Sequence, residues 1–340
     1  MSDRISERLA ALFESGVQNS SDAWMPLLLK HGLDELPLPG QGDTLERWRA
    51  LAAVGQLDLS LTKLYEGHTD ALAIMRELHG QPHEIAEGVW CVWAAEAPGG
   101  RVLASPGDGG SVTLSGSKFW CSGATCADHA LLTAWGENGS GPHLVAVDLH
   151  QRGITVDASH WKAVGMAGSQ SVTVSFENVT AQRIGGDKEY LTRPGFWQGG
   201  AGIAACWYGG ALGIATALRQ SMPKSNGTSA VLKEVALGKV ELALAETAAL
   251  LRQSAGWIDA HPTADASQVA LATRLSAERC ARAVLDEVGR AMGATPFCLD
   301  EKFARAAADL PVFIRQSHGD RDLAALGERS LKQGAGAWLL

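Results

Sequence analysis

The spacing of apolar residues divides the chain into three successive regions. From residue 1 to about residue 88, apolar positions recur every three to four residues, as Leu9, Leu12 and Phe13 do, and this spacing predicts helices. The segment Leu36–Gly42 interrupts the pattern with two prolines and two glycines, which is typical of a loop. We therefore expect an N-terminal helical domain over residues 1–88.

The period shortens to two in the middle of the chain, over residues 89–190. Segments such as 112–116, 129–135 and 143–149 alternate or are rich in β-branched residues, and clusters of Gly, Asn, Ser and Pro separate them. Short strands at this spacing predict an antiparallel barrel or sandwich. We expect a middle β-domain here, with the barrel as the favoured form.

Helical spacing returns in residues 191–340. Long amphipathic stretches cover residues 232–257 and 264–292, and shorter ones cover 199–219 and 301–315. Short connections between four such helices imply antiparallel neighbours and hence a four-helix bundle. The predicted fold class is α+β, in the order helical domain, β-domain, helical bundle.

The charge balance argues against a nucleic-acid partner. The chain has 29 basic and 37 acidic residues and a net charge of −8, and such a surface repels phosphate backbones. No run reaches the length of about 18 apolar residues that spans a membrane. The N-terminus is typical of an amphipathic helix and not of a signal peptide. These patterns predict a cytoplasmic protein without a membrane span.

The six cysteines do not have the spacing of a metal site. None belongs to a Cys-x-x-Cys pair, and none has histidines at zinc-like spacing. We expect buried free thiols in a reducing compartment, and no metal centre.

The middle region carries a motif that is similar to one of a known family. Residues 114–124 read Leu-Ser-Gly-Ser-Lys-Phe-Trp-Cys-Ser-Gly-Ala, and Ala-Asp follows at 127–128. This segment resembles the β-domain signature of the acyl-CoA dehydrogenase family, and residues 165–179 and 208–213 resemble two later family blocks. The resemblance implies FAD as the cofactor and a homodimer or homotetramer, because the family shares FAD across a subunit interface. The glycine-rich run 199–202 has no strand before it and does not predict a Rossmann site.

The resemblance also implies where the flavin ring would lie. Trp120 would cover one face of the isoalloxazine, and the hydroxyl of Ser122 could hydrogen-bond near flavin N5. Residues on alternate positions of a strand point to the same side, and Cys121, between them, belongs to the same predicted flavin-binding strand.

The pyrimidine edge of the flavin would be held by the loop that begins at Trp93 and Ala94. The family has a threonine in this loop, and Ala95 replaces it here, so that one side-chain hydrogen bond is missing and backbone groups would have to bind the ring.

The adenine end of FAD has fewer counterparts in this chain. Residues 219–230 lack the Gln and the Phe-Gly of the family. The family's Gln-x-x-Gly-Gly turn becomes Arg290 to Thr295, in which Arg290 could contact the pyrophosphate beside Gly293 and Ala294. An ordinary solvated arginine at a helix end is an equally open interpretation.

The catalytic carboxylate of the family is missing from both of its usual places. One place falls on Ser317, or on His318 if the register slips by one, and the other falls on Ile203. His318 could be a base or proton donor, since histidine titrates near neutral pH, or it could cap the preceding helix. Glu96 and Asp320 are lesser candidates.

Three functions follow from these observations. The favoured one is an FAD-dependent oxidoreductase that transfers hydride from an acyl thioester or related substrate to flavin N5, with the electron acceptor left open. The second is a flavin-dependent monooxygenase on the same fold that uses Ser317 and His318, because this pair resembles the His-bearing loop of such enzymes. The third is a catalytically degenerate partner subunit.

Overall fold

A helical region, a sheet and a second helical region follow one another, as the sequence predicts. The computed structural model describes residues 4–14, 16, 21–79, 85–222, 228–333 and 338. The N-terminal helices are α1 (Ile5–Glu14), α2 (Ser21–Lys30), α3 (Thr44–Leu57) and α4 (Leu59–His79). The strands are β1 (Trp90–Trp93), β2 (Val102–Pro106), β3 (Ser111–Cys121), β4 (His129–Ala134), β5 (His143–Asp148), β6 (Ile154–Asp157) and β7 (Val172–Ile184).

The C-terminal region is again helical. Its helices are α5 (Glu189–Thr192), α6 (Gly195–Gln220), α7 (Thr228–Ala260), α8 (Ser267–Met292), α9 (Thr295–Leu299), α10 (Glu301–Phe313) and α11 (Asp320–Gln333). Helices α6, α7, α8 and α10 pack against one another as a bundle. The domain boundaries at residues 88 and 190 stay predictions, close to where the first strand begins and the last one ends.

The sheet curls toward a barrel. Its strand order is β1–β4–β5–β7–β3–β2, and β6 also pairs with β7. Backbone bonds from Ala104 N to Trp135 O (2.8 Å) and from Trp135 N to Val102 O (2.9 Å) join the β2 edge to the chain after β4. Strands β1 and β4 run parallel while the other pairs are antiparallel. Alternation did not reveal this, since it reports the buried face of a strand and not its partner.

The N-terminal helices and the bundle share one apolar core, and glycines set the closest approach within it. A Cβ at Gly209 of α6 would lie 2.2 Å from the carbonyl oxygen of Ala52 on α3, and one at Gly55 would lie 2.6 Å from that of Cys206. Any larger side chain would push α3 and α6 apart, so this contact depends on glycine on both helices.

Helix α6 departs from one expectation. It is the one helix among the described residues that is long and apolar enough to cross a membrane, but 72% of its most apolar window is buried inside the protein. Burial of this kind is typical of the central helix of a bundle. The sequence pattern missed the segment because glycines and small residues dilute its apolar run.

None of the six cysteines, all of which the structure describes, forms a disulfide. The expected burial is wrong for Cys298, which is exposed, and Cys126 is only half-buried. No group of three metal-ligating side chains occurs in the part of the chain that the structure describes.

Candidate functional site

A cavity of about 780 Å³ lies where the N-terminal helices, the β-domain and the bundle meet. Helix α4 forms one wall, and the ends of β1 and β3 with the loop before β7 form a second. Helix α6, the segment 190–193 around α5, Arg274 of α8 and the segment 312–318 complete it. All three regions of the sequence therefore contribute to one site.

The residues predicted to hold the flavin ring converge on this cavity. Trp93, Ala94, Ala95, Trp120 and Ser122 all line it. The indole Nε1 of Trp93 donates to the carbonyl oxygen of Ser122 at 3.0 Å. This bond fastens the end of β1 to the chain that follows β3, although the two segments are far apart in sequence.

Trp120 has an unusual backbone conformation. Its φ is +61°, at the point where the β3–β7 register shifts between Lys118 and Cys121. A bulky residue rarely adopts positive φ, and the strain costs about 1–3 kcal/mol. The turn leaves the side chain 60% exposed at the cavity. An indole held in this way offers an open aromatic face to a planar ligand.

Cys121 does not take the place that was predicted for it. Its side chain is fully buried in the barrel core, away from the cavity. Its thiol donates to the carbonyl oxygen of Lys118 at 3.3 Å, and burial raises its pKa to about 12. The alternation of the strand explains this, because a side chain next to one that faces the cavity points into the barrel.

Three serine hydroxyls form a chain in the cavity wall. The Oγ atoms of Ser122 and Ser171 are 2.7 Å apart, and those of Ser171 and Ser169 are 3.1 Å apart. Ser169 in turn donates to the carbonyl oxygen of Met166 at 2.8 Å. Only Ser122 was singled out from the sequence, and the other two come from a loop whose fold could not be predicted.

Helix α10 holds this loop in place. The backbone N–H of Met166 donates to the carboxylate of Asp309 at 2.5 Å. Met166 and Gln170, on either side of the turn Ala167–Ser169, both have positive φ. Burial raises the pKa of Asp309 to about 6. A buried carboxylate therefore fixes a strained loop that carries two of the three serines.

Glu96 supports the β1 side of the site from outside the cavity. Its carboxylate accepts bonds from Lys118 Nζ (2.7 Å), Thr133 Oγ1 (2.5 Å) and Trp135 Nε1 (3.1 Å). Burial opposes ionisation, but the bonds from Lys118 and Thr133 outweigh it and the pKa of Glu96 is lowered. This residue anchors the loop that carries Ala95 and is not a free base.

Helix α6 presents two glycines to the cavity. Gly199, Gly200 and Ile203 line it at helical spacing, and a Cβ at either glycine would meet no atom within 4 Å. Glycine inside a helix costs about 1 kcal/mol relative to alanine, so this pair does not serve helix stability. The glycine-rich run lies inside α6 and keeps cavity space open.

His318 lines the cavity and Ser317 does not. The imidazole Nδ1 of His318 is 3.5 Å from an oxygen of Asp322, and its backbone N–H donates to the other oxygen at 3.1 Å. The Ser317 hydroxyl instead accepts from Gly319 N at 3.3 Å and stabilises the turn before α11. His318 lies between the short 3₁₀ turn Ile314–Gln316 and α11, and its ring is paired with Asp322 of α11 and not with the preceding helix.

The predicted adenine-end residues lie elsewhere on the molecule. Arg290 lies near the end of α8, 67% exposed and paired with Asp286 one turn earlier, and neither it nor Gly293 and Ala294 lines the cavity. Their role was predicted across a subunit interface and stays a prediction. The altered segment 219–230 is described only up to residue 222 and again from residue 228.

Sequence analysis missed the charged wall on α4. Lys63, Glu66, Asp70 and Glu77 line the cavity at helical spacing. They are held in three ion pairs: Lys63–Glu66 at 2.7 Å, Arg47–Asp70 at 2.6 Å, and Arg193–Glu77. Burial raises the pKa of Asp70 to about 6 against the opposing effect of Arg47. The sequence did contain a signal for this wall, because charged residues recur on one face of the helix. A face that packs into the core would be apolar instead.

Comparisons with known proteins agree with this architecture. The family described as "Acyl-CoA dehydrogenase, middle domain" matches residues 98–179. Among curated proteins, no sequence relative matches the chain.

Solved structures match nearly the whole chain. A dibenzothiophene monooxygenase, TdsC from Paenibacillus sp. A11-2, solved with FMN and indole, has 18% identity and a TM-score of 0.79, with 97% of each chain covered. Methanesulfinate monooxygenase MsuC from Pseudomonas fluorescens has 20% identity and a TM-score of 0.74, with 98% of each chain covered. Butyryl-CoA dehydrogenase from Megasphaera elsdenii has 16% identity and a TM-score of 0.70, with 85% of this chain and 82% of that chain covered.

Proposed function

Because this chain is an acyl-CoA dehydrogenase-like protein in its middle domain and its fold, we propose that it is a flavin-dependent oxidoreductase. Within that class, we propose a monooxygenase. The observation that carries the proposal is the convergence of Trp120, Ser122, Ala95 and His318 on one cavity, with no unpaired carboxylate in the described wall to abstract a proton.

The residues of the cavity fit a flavin ring. The exposed indole of Trp120 gives an aromatic face, and Gly199 and Gly200 leave a flat helix surface. The hydroxyl of Ser122 can donate to a ring nitrogen, and no hydrogen bond within the described residues engages the backbone N–H of Ala95. This donor set supports the polar edge of an isoalloxazine even without the family's threonine.

The chemistry divides between the cofactor and the chain. A bound reduced flavin would supply the two electrons and two protons with which O₂ yields one oxygen atom for the substrate and one for water. His318 would hold or donate a proton at Nε2 while Asp322 fixes Nδ1, an arrangement that sets the tautomer. The serine chain Ser122–Ser171–Ser169 can reorient its hydroxyl protons, and Trp161, Phe196 and Trp197 in the wall limit access of water.

The acidic residues of the wall favour this reaction over dehydrogenation of an acyl thioester. One of the two places where the family has its base falls on Ile203, and the other falls on Ser317, or on His318 if the register slips by one. Glu66, Asp70 and Glu77 are all ion-paired. Hydride transfer from an acyl thioester remains the second candidate, and the raised pKa of Asp70 is the feature that favours it. The third candidate, a catalytically degenerate partner subunit, stays a prediction. The presence of a formed cavity with a positioned histidine weighs against it.

The form of the flavin and the assembly are also proposals. FAD is the expectation from the family resemblance, whereas the TdsC structure contains FMN. A homodimer or homotetramer would bring Arg290 of one subunit toward the cofactor of another. Chromatography of the flavin released from the purified protein, together with the solution mass, tests both.

Reaction of the flavin-loaded protein with oxygen tests the function. Stopped-flow spectra of the reduced complex mixed with O₂ should show reoxidation slowed about 100-fold or more in His318→Ala, the usual effect of losing a general acid. His150→Ala removes an exposed histidine that also pairs with a carboxylate, and should leave the rate unchanged. Equal rates in both variants would reject the role of His318.

Two further results would change the assignment. Failure of both FMN and FAD to bind would reject a flavin enzyme. Anaerobic bleaching of the bound flavin by butyryl-CoA would replace the monooxygenase with the dehydrogenase.

A further inference from the structure

An arginine that the flavin chemistry does not use enters the cavity from the bundle. Arg274 lies on α8 and lines the cavity beside the segment that carries His318. Its Nη2 donates to the carbonyl oxygen of Gln316 at 2.9 Å, and its carbon Cζ lies 5.7 Å from the ring centroid of Trp207. Its Nε is buried without any hydrogen-bond partner. The guanidinium is therefore held in position but only partly satisfied.

Arg274 also differs from the other cations of the wall in its charge environment. Lys63 and Arg193 each have a carboxylate partner, and Arg315 is exposed to solvent. No carboxylate of the described residues lies within 4.0 Å of Arg274. Asp322 has the largest electrostatic effect on it among the acids, but its oxygens are engaged by His318.

This arrangement leaves a positive charge without a partner at the surface of the cavity. Arginine stays protonated at any physiological pH, although burial lowers the pKa of Arg274. Burying a cation without a counter-ion destabilises the folded protein, and a bound anion would remove that cost. Guanidinium groups match the two oxygens of a carboxylate or a sulfonate in a bidentate geometry.

We propose, on the basis of the proposed function, that Arg274 is the counter-ion of the substrate and that the substrate is a small organic oxyanion. The charged face of α4 supports this choice over an acyl-CoA. A long hydrocarbon chain would have to lie against the charged side chains of Lys63, Glu66 and Asp70, whereas a short oxyanion can accept a hydrogen bond from the ammonium group of Lys63. A flavin ring would take part of the 780 Å³, which leaves space for a compact molecule.

Binding calorimetry with matched ligands tests the proposal directly. The flavin-loaded protein is titrated with butyrate, with propane-1-sulfonate, and with butyramide, which has the shape of butyrate without its charge. Tris buffer avoids competing organic anions. We expect at least one of the two anions to bind about 10- to 100-fold more tightly than butyramide, the effect of a charge-assisted pair.

Three variants isolate the contribution of Arg274. Arg274→Gln should lose the preference for the anion and leave the affinity for butyramide unchanged, while Arg274→Lys should keep part of the preference. Arg279→Gln removes an exposed arginine from the same helix and should change nothing. If Arg274→Gln does not fold, Arg274→Lys replaces it in the comparison. A preference for the anion that is smaller in Arg274→Lys than in the unaltered protein then supports the role of Arg274, and an equal preference rejects it.

Several results would overturn the proposal. Equal affinity of the unaltered protein for butyrate, propane-1-sulfonate and butyramide would do so. An equal loss for charged and neutral ligands in Arg274→Gln would mean that Arg274 only holds Gln316. A weaker affinity for FMN or FAD with unchanged anion binding would assign Arg274 to the flavin phosphate.

The same measurement separates the two proposals. Repeating the titration on protein without flavin shows whether the anion site exists even if no flavin binds, in which case the proposed function alone fails. If the flavin-loaded protein reacts normally with O₂ but shows no preference for the anions over butyramide, only the proposal for Arg274 fails.

Discussion

The carboxylate of Asp309 gives a prediction about stability that can be worked from the structure. It is buried between α10 and the loop of Met166, and its pKa is raised from 3.8 to about 6 because burial disfavours the charged form. Asp309→Asn keeps the shape and the acceptor oxygen for the Met166 N–H and removes the titration. The comparison between the two proteins therefore isolates the cost of ionising this group in the folded state.

The direction and size of the effect follow from that shift. Because the folded protein holds the proton more tightly than the unfolded chain, Asp309 lowers stability as the pH rises from about 4 to above 6. The gap between 3.8 and about 6 corresponds to about 3 kcal/mol. Asp309→Asn should thus gain about 3 kcal/mol over the unaltered protein between pH 4 and pH 7, or about 4 °C in Tm for a chain of this length.

Thermal unfolding followed by fluorescence at several pH values checks this prediction. The quantity compared is the change with pH of the Tm difference between Asp309→Asn and the unaltered protein. A change in the strength of the hydrogen bond to Met166 that does not depend on pH therefore cancels. Glu301→Gln, an exposed residue on the same helix, is the control and should show no such trend. A Tm difference between Asp309→Asn and the unaltered protein that stays constant with pH would refute the reasoning.

Three further predictions concern the cavity and the helix contact. Gly199→Leu should fold normally, since a Cβ at this position meets no protein atom within 4 Å. It should weaken flavin binding at least 10-fold in a spectroscopic titration, and normal binding would mean that the flavin does not use this face of α6. Asp70→Ala should destabilise the protein by about 3–5 kcal/mol in urea unfolding, because it leaves Arg47 buried without its partner, and a loss below 1 kcal/mol would contradict the role of that pair. Gly209→Ala should lower Tm by several degrees because its Cβ would clash with Ala52, whereas Gly238→Ala on α7, where nothing lies within 4 Å, should leave Tm equal or higher.

Much of the architecture followed from local pattern. The period of three to four, then two, then three to four again predicted helices, strands and helices in that order, because each element must bury one face. The motif around Trp120 placed Trp93, Ala94, Ala95 and Ser122 together, and His318 was named from its position in the chain alone. These residues line one cavity, and their roles in flavin binding and catalysis stay predictions.

The sequence did not predict which side chains reach the cavity where their placement depends on contacts between distant parts of the chain. Cys121 and Ser317 share their segments with Trp120 and His318, but the pleat of a strand and a tight turn direct their side chains elsewhere. Asp309 of α10 holds the loop that carries Ser169 and Ser171, and the left-handed backbone of Trp120 lies where the pairing of β3 with β7 shifts register.

The charged wall shows most clearly what tertiary structure decided. The sequence by itself determined that Lys63, Glu66 and Asp70 share a face of one helix. It did not determine that this face closes on a cavity, or that the partners would be Arg47 and Arg193 while Arg274 would have none. Periodicity reports the direction of a side chain relative to its own element, whereas charge pairing depends on which elements pack together.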